Sequence, residues 1–296
     1  MSERKIAIVI SSFSSLLEKD LKEYPDIFLT PLQLFIEEEQ WLEGFYNENE
    51  KYKIVKKFQK TNDFKTSLAS VVTIEEQMIE LSQKYTDVLY LPINSYLSSS
   101  HNTILSLSKK YPNVKVLNNK LVGKAFLDIA IEAKKLYEKN NYTIDEIIEF
   151  IKWYDLRSIG YIIPYELKTF IKSGRLKGIK KTIMTSLKLS TIVEFDYELS
   201  SAGIVSSKKL GAQKVISKLE NFIKKENMNI NDFEITIIYA YDQLIANIFE
   251  EAVEKHWKRK VDHNYEASLA TMFHTGWGAA FLGINPKLKI VPKIKK

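Results

Sequence analysis

Hydroxyl side chains are concentrated in two short segments of this sequence. One is Lys65-Thr66-Ser67-Leu68-Ala69-Ser70, and the other runs from Ser95 to His101 and carries hydroxyls at five of its seven positions. Hydroxyl groups and the first amides of a following helix suit an anionic ligand. Serine is also a common helix N-cap, and the first segment fits an ordinary loop equally well, so both interpretations stay open.

A glycine-rich segment near the C-terminus carries a histidine. Three of the ten glycines fall within the eleven residues from Phe273 to Gly283, and His274 lies at the start of this segment. Glycine occurs where the backbone turns tightly or approaches another group closely, so His274 is a candidate site residue. The remaining histidines are interpreted as structural: His101, His256 and His263.

Arg175 is a further candidate, because it is one of only four arginines among 43 basic residues. A planar, permanently charged guanidinium directly after Gly174 suits an anionic group. The alternative is a helix C-terminus followed by a solvated base.

The elements that would position these residues follow an α/β order. In the first half, predicted strands at 6–10, 27–36 (interrupted by Pro31), 87–93 and 114–117 alternate with predicted helices at 14–22, 73–85, 102–110 and 122–139. Strands separated by helices predict a parallel sheet, which binds ligands beyond the carboxyl ends of its strands. Capping boxes would begin two helices: Thr73 with Glu76, and Thr143 with Glu146 in a helix at 143–154.

The second half has a different order of elements. Strands are predicted at 159–163, 191–195, 203–206, 234–239 and 279–284, with helices at 208–225 and 242–257. Two strands in close succession indicate a hairpin, which favours a mixed or antiparallel sheet with helices on one side. We therefore predict an α/β protein with an N-terminal parallel-sheet α/β/α domain, residues 1–155, and a C-terminal mixed-sheet α/β domain, residues 156–296.

Composition and missing motifs exclude several classes of function. The chain has no cysteine, so a thiol nucleophile and a cysteine-bound metal are excluded. Its net charge is +6, but the lysines are scattered, which argues against nucleic-acid binding. We find no metal-ligand spacing, phosphate-binding glycine loop or Gly-x-Ser-x-Gly elbow, so we expect no metal or cofactor on this chain.

The apolar run at residues 6–10 is too short for the core of a signal peptide. No other run is long enough to cross a bilayer. We therefore expect a cytoplasmic protein that is not an integral membrane protein.

The four segments, in this order, resemble the DegV family of bacterial fatty-acid-binding proteins. The family patterns and their matches are Thr-Ser at Thr66-Ser67, Ser-Ser-x-Leu-Ser-Gly-Thr at Asn94 to Ser100, Gly-Arg at Gly174-Arg175, and His-x-Gly-Pro-Gly at His274 to Gly278. Departures are Ser99 for the glycine of the second pattern, Trp277 for the proline of the last, and Asn118-Asn119 for an Asp-Ser pair. The chain is thus expected to be a divergent member.

The resemblance implies a DegV-like fold that buries a long-chain fatty acid. It implies that Thr66, Ser67, Ser98 and His274 hold the carboxylate, and a protonated histidine would do so best. Arg175 would assist the head group or its phosphorylated product, and Ser99, Gly276 and Gly278 would supply binding-loop backbone.

The resemblance also implies a partner, because some members present the carboxylate to a separate ATP-binding fatty acid kinase subunit. ATP and Mg²⁺ would then belong to that partner, and this chain would be a non-catalytic acyl-binding subunit. One alternative is an enzyme subunit similar to dihydroxyacetone kinases, in which His274 would hold a small hydroxyketone. Another is a transcriptional or interaction module.

Overall fold

The computed structural model describes residues 4–165, 167–175 and 189–290. The chain forms two compact units. Of the described residues, the N-terminal unit contains 4–153 together with Ser268–Ala270, and the C-terminal unit contains those of 154–267 and 271–290. None of the helices in the described ranges has the length and apolar character required to cross a membrane.

Strands and helices of the N-terminal unit alternate along the chain. The strands are β1 (Ile6–Ser11), β2 (Ile27–Thr30), β3 (Gln33–Ile36), β4 (Glu39–Leu42), β5 (Phe64–Ser67), β6 (Asp87–Leu91) and β7 (Val114–Val116). The helices are α1 (Glu48–Phe58), α2 (Val71–Lys84), α3 (Ser100–Ser108), α4 (Ala125–Lys139) and α5 (Ile144–Leu156).

A four-stranded sheet in the order β2-β1-β6-β7 forms the centre of this unit, and all its pairings are parallel. Every residue of β1 is buried, as expected for a parallel strand covered on both faces. The side chains of Val9, Met78 and Tyr90 belong to one apolar cluster between this sheet and its helices. The predicted parallel sheet is therefore confirmed.

A second, antiparallel sheet in the order β4-β3-β5 is absent from the sequence prediction. Its strand β5 contains Thr66 and Ser67, which pair with Leu34 and Gln33 of β3. Residues along β5 alternate between partly buried and exposed, as expected for the two-residue repeat of a strand. The sequence did not predict this strand, because its Lys, Thr and Ser residues are typical of a loop.

Two local predictions in this unit are wrong. Helix α2 begins at Val71 after Ser70, so Thr73 lies inside the helix and no capping box forms there. The backbone N–H of Ile74 already donates to the carbonyl of Ser70 at 3.0 Å, which places the first helical turn before Thr73. The predicted helix at 14–22 is replaced by short 3₁₀ turns at Ser12–Ser14 and Glu18–Leu21, separated by Ser15 in a left-handed conformation.

The capping box at the start of α5 is confirmed. The Glu146 carboxylate accepts a hydrogen bond from the Thr143 N–H at 2.7 Å, and the Thr143 hydroxyl accepts one from the Glu146 N–H at 3.3 Å. These reciprocal bonds satisfy donors that a helix N-terminus otherwise leaves open.

The C-terminal unit contains a six-stranded mixed sheet. Its strands are β8 (Ile159–Ile163), β9 (Ser190–Phe195), β10 (Leu199–Val205), β11 (Phe233–Tyr239), β12 (His263–Glu266) and β13 (Ala280–Pro286), in the order β10-β9-β8-β13-β11-β12. Among the strand pairings of the described residues in this sheet, β11–β12 is parallel and the others are antiparallel. The predicted mixed sheet and the β9–β10 hairpin are therefore confirmed.

The described helices of this part of the chain are α6 (Leu167–Lys172), α7 (Lys208–Lys225), α8 (Leu244–Trp257) and α9 (Leu269–Thr275). Leu219 of α7 and Phe249 of α8 are fully buried in the same apolar cluster as Ile235 and Leu282 of the sheet. Helices α7 and α8 therefore cover the sheet of the C-terminal unit.

Candidate functional site

Polar side chains of the N-terminal unit lie just beyond the carboxyl ends of its parallel strands. Ser11 ends β1, the segment from Asn94 follows β6, and Asn118 follows β7. Strands β1, β6 and β7 are neighbours and run parallel, so these segments share one edge of the sheet. This edge is where an open parallel sheet binds ligands.

The loop after β6 is held by hydrogen bonds from its own asparagine. The Asn94 side-chain oxygen accepts from the Tyr96 N–H at 2.7 Å, and its backbone carbonyl accepts from the Ser98 N–H at 3.1 Å. The Asn118 side-chain oxygen accepts from the Ser95 N–H at 3.0 Å, which ties this loop to the end of β7. Asparagine at position 118, a departure from the family pattern, therefore has a structural role.

Ser98 lies partly buried just before helix α3. Its hydroxyl oxygen is 2.9 Å from that of Ser100 and accepts the Ser100 N–H at 3.2 Å. Ser99 is exposed and its side chain makes no capping hydrogen bond. The paired hydroxyls of Ser98 and Ser100 can supply an O–H donor to an anion, whereas Ser99 offers the site only backbone.

Thr66 and Ser67 lie in the same unit but on the other sheet. Thr66 is partly buried on β5, and Ser67 is exposed at the end of that strand. Thr66 is therefore better placed than Ser67 for contact with a ligand that is withdrawn from water.

The remaining matched residues lie in the C-terminal unit. His274 is in the last turn of α9, and Gly276 and Gly278 follow with φ angles of +84° and +75°. A Cβ atom at Gly276 would lie 3.1 Å from the Thr169 Cβ, and one at Gly278 would lie 3.1 Å from the Tyr165 Cβ. Left-handed backbone and close packing together explain why glycine occupies both positions.

Burial lowers the pKa of His274 to about 3, and the positive charge of Arg175 contributes further. The imidazole is therefore neutral near pH 7 in the ligand-free protein, whereas the sequence analysis favoured a protonated histidine for holding a carboxylate. A neutral imidazole still offers one N–H as a hydrogen-bond donor.

Arg175 follows the C-terminal end of helix α6. Its guanidinium donates to the Ser173 carbonyl at 2.6 Å, and burial lowers its pKa. Gly174, with a φ of +74°, lies just beyond the helix, as the alternative interpretation of this segment required. The segment is thus a helix C-terminus, but the base that follows it is partly buried rather than fully solvated.

Trp277 occupies the position of the family's proline, between the two left-handed glycines. Its ring lies against that of Tyr241, with centroids 4.1 Å apart and planes inclined at 38°. Nearby, the Gly278 N–H donates to the Ala240 carbonyl at 2.8 Å, and the Ala240 N–H donates to the Ala279 carbonyl at the same distance. The aromatic pair and the backbone hydrogen bonds therefore hold this loop in place. In the family pattern, a proline at this position would restrict the backbone instead.

A buried acid in the N-terminal unit was missed by the sequence interpretation. Glu43 is 2% exposed, accepts a hydrogen bond from the Tyr46 hydroxyl, and accepts the Ala270 N–H at 2.6 Å. Burial raises the pKa of Glu43 to about 7, although these bonds and the Lys51 charge oppose the rise. Glu43 belongs to an acid-rich stretch that includes Glu37 and Glu38, so composition gives no signal that distinguishes it.

Comparison with known proteins identifies the family. A family model described as "Uncharacterised protein, DegV family" matches residues 5–287. The chain belongs to the DegV family. A DegV domain-containing protein of Mycoplasmopsis pulmonis is 24% identical over 282 residues, which cover 95% of this chain and 94% of that relative.

Solved DegV structures share the fold at low sequence identity. A fatty acid binding DegV family protein from Streptococcus agalactiae is 20% identical with a TM-score of 0.83, covering 96% of this chain and 99% of its own. A stearic acid-binding protein from Eubacterium ventriosum is also 20% identical, with a TM-score of 0.78 and coverage of 96% and 99%. The expected DegV-like α/β fold is thereby confirmed.

Proposed function

We propose that this chain binds a long-chain fatty acid and presents its carboxylate to a separate ATP-binding kinase subunit. The observation that carries the proposal is the set of matched polar residues Thr66, Ser98, Arg175 and His274 in a chain of DegV fold. Similar solved structures are described as fatty acid binding, one of them with stearic acid, which supports the same ligand class here.

Each matched residue has a role that fits its surroundings. Thr66 and Ser98 donate hydroxyl hydrogen bonds to the carboxylate, with Ser67 as an outer contact because it is exposed. His274 donates one N–H as a neutral imidazole, and Arg175 supplies the positive charge. Ser99, Gly276 and Gly278 contribute backbone. A carboxylate withdrawn from water requires such partners, since burial without them costs several kcal/mol.

The acyl chain supplies the driving force for binding. Each buried methylene contributes about 0.8 kcal/mol, so about fourteen of them give about 11 kcal/mol as an upper bound. Ordering the chain and the protein reduces this figure. The head-group contacts then fix the orientation of the ligand and add a smaller share of the affinity.

The phosphoryl donor would come from the partner subunit. The sequence has no phosphate-binding glycine loop and no metal-ligand motif, so ATP and Mg²⁺ are assigned to the kinase subunit. Hydrogen-bond donors around the carboxylate would also stabilise charge that develops as acyl phosphate forms. We place this activity in the cytoplasm, in keeping with the sequence-based expectation.

Bound lipid is the direct test of acyl binding. We expect mass spectrometry of extracted, denatured protein to detect a fatty acid that is retained through purification. Palmitate or oleate added to delipidated protein should raise its melting temperature, because a ligand that binds only the native state stabilises it. No acyl species and no thermal shift would overturn the proposal, and a shift with dihydroxyacetone alone would favour the hydroxyketone alternative.

The kinase step has a separate test. With a bacterial fatty acid kinase subunit and radiolabelled ATP, we expect His274→Ala to lower acyl phosphate formation more than it lowers fatty acid affinity. The reason is that an imidazole near the reacting carboxylate assists the transfer, whereas the acyl chain dominates binding. Equal losses of affinity and rate would remove His274 from the transfer step and leave it as a binding residue.

A further inference from the structure

Lys208 is in an unfavourable place for a cation. It is the first residue of helix α7, after the N-cap Ser207, whose hydroxyl accepts the Leu210 N–H at 3.2 Å. The positive end of the helix dipole repels a cation at this position. Lys208 is also partly buried, and burial lowers its pKa. Because the helix dipole and burial both disfavour the charge of Lys208, the residue requires compensating contacts.

Those contacts are two backbone carbonyls at the end of strand β8. The Lys208 ammonium donates to the Pro164 carbonyl at 2.7 Å and to the Tyr165 carbonyl at 3.0 Å. It also lies 5.9 Å from the centroid of the Tyr165 ring. Hydrogen bonds from a charged donor are stronger than neutral ones, so Lys208 fixes the turn that follows β8.

The fixed turn supports the glycine loop after His274. A Cβ atom at Gly278 would lie 3.1 Å from the Tyr165 Cβ, closer than an ordinary contact, and Thr169 of α6 is equally close to Gly276. A movement of Tyr165 would therefore open space beside Gly278 and relax the loop. The contacts thus run from Lys208 through Tyr165 to the loop.

We propose that Lys208 is a positioning residue for the loop that follows His274, because its ammonium holds the Pro164–Tyr165 turn against Gly278. This role rests on the proposed function, in which His274 contacts the ligand head group. Lys208 itself touches neither the ligand nor the reacting atoms. Its next neighbour Lys209 is exposed on the same helix and serves as the matched control.

The test uses Lys208→Met and Lys209→Met in the full chain without ligand. Histidine-labelled and fluorotryptophan-labelled NMR samples report on His274 and Trp277, whose signals are assigned with His274→Asn and Trp277→Phe. We expect both signals to shift or broaden in Lys208→Met and to match wild type in Lys209→Met. We also expect palmitate to bind Lys208→Met about fivefold more weakly, because the released loop then has to be ordered when the head group binds.

Two further variants test the same contacts in case Lys208→Met folds poorly. Lys208→Arg retains the cation and should restore the wild-type signals at least in part. Tyr165→Ala keeps the carbonyls but removes the side chain next to Gly278, so it should displace the same two signals. Unchanged His274 and Trp277 signals in Lys208→Met or Tyr165→Ala would overturn the positioning role. Failure of wild type to bind palmitate would instead overturn the proposed function, since the NMR comparison needs no ligand.

Discussion

The sheet edge of the N-terminal unit and the glycine loop of the C-terminal unit are built in different ways. At the sheet edge, side chains bond to nearby backbone and to one another, as Asn94 and Ser98 do. In the loop, left-handed glycines pack against Tyr165 and Thr169, and backbone bonds complete the structure. Side-chain hydrogen bonds can be exchanged among polar residues, whereas a left-handed glycine has few substitutes.

The two units also differ in the surroundings of one buried ionisable group each, Glu43 and His274. Burial favours the neutral form of both, raising the pKa of Glu43 to about 7 and lowering that of His274 to about 3. Glu43 accepts bonds from Tyr46 and from the backbone of Leu269 and Ala270, which favour its charged form. Arg175, in contrast, opposes the charged form of His274. Glu43 therefore titrates near neutral pH, and His274 does not.

The largest predicted effect concerns Glu43 and the pH dependence of stability. Its pKa in the native protein lies above its ordinary value of 4.5, so folding takes up a proton and stability falls as pH rises from 4.5 to about 7. The raised pKa corresponds to about 3 kcal/mol of unfolding free energy over this range. In Glu43→Gln this fall should be absent, as measured by urea unfolding at pH 5 and pH 8.

The matched control for Glu43 is Glu38→Gln, since Glu38 is exposed in the same hairpin. The control should retain the wild-type change between the two pH values. If Glu43→Gln and wild type lose the same free energy from pH 5 to pH 8, Glu43 is already ionised throughout and its raised pKa is wrong.

The second effect compares two left-handed glycines in the C-terminal unit. Gly278→Ala adds a Cβ atom against Tyr165, whereas Gly174→Ala adds one where no atom lies within 4 Å. We expect about 1 kcal/mol of destabilisation at Gly174 from backbone strain alone and about 2–3 kcal/mol at Gly278. Thermal unfolding of both variants measures the difference, and equal losses would show that the loop tolerates crowding.

Much of the fold could be predicted because its elements have strong local signals. The buried strands β1 and β6 are continuous apolar runs, and α5 begins with a capping box that forms as predicted. The small β4-β3-β5 sheet was missed, because polar residues around Thr66 have the composition of a loop and only their pairing partner reveals the strand. Strand pairing is a tertiary property that local composition does not contain.

The candidate site rests on residue types in a recognisable order and not on local structural preferences. Hydroxyls at Thr66 and Ser98 and the glycines after His274 have visible sequence signals. Glu43 and Lys208 have none, because burial and hydrogen-bond partners distinguish them from the many other charged residues. A buried ionisable group becomes apparent only when the fold shows what surrounds it.

The third effect tests the hydroxyls of the sheet edge. Thr66→Val and Ser98→Ala each remove a donor to the proposed carboxylate, and a hydrogen bond to a charged group is worth about 1.5 kcal/mol or more. We therefore expect each variant to bind palmitate about tenfold more weakly, with little change in melting temperature. The control is Ser82→Ala, a partly buried serine on α2 whose hydroxyl donates to the Ile79 carbonyl of the same helix. Wild-type affinity in a variant that carries both Thr66→Val and Ser98→Ala would remove both residues from the head-group site.

The smallest effect concerns Trp277, the substitution that distinguishes this loop from the family pattern. Contact between the rings of Trp277 and Tyr241 should contribute about 1 kcal/mol beyond burial, the usual size for an aromatic pair. A double-mutant cycle with Trp277→Ala and Tyr241→Ala measures this coupling by urea unfolding. Additive losses would show that the rings adjoin without stabilising the loop. A coupling near 1 kcal/mol would instead show that an aromatic contact here replaces the restraint that proline gives other family members.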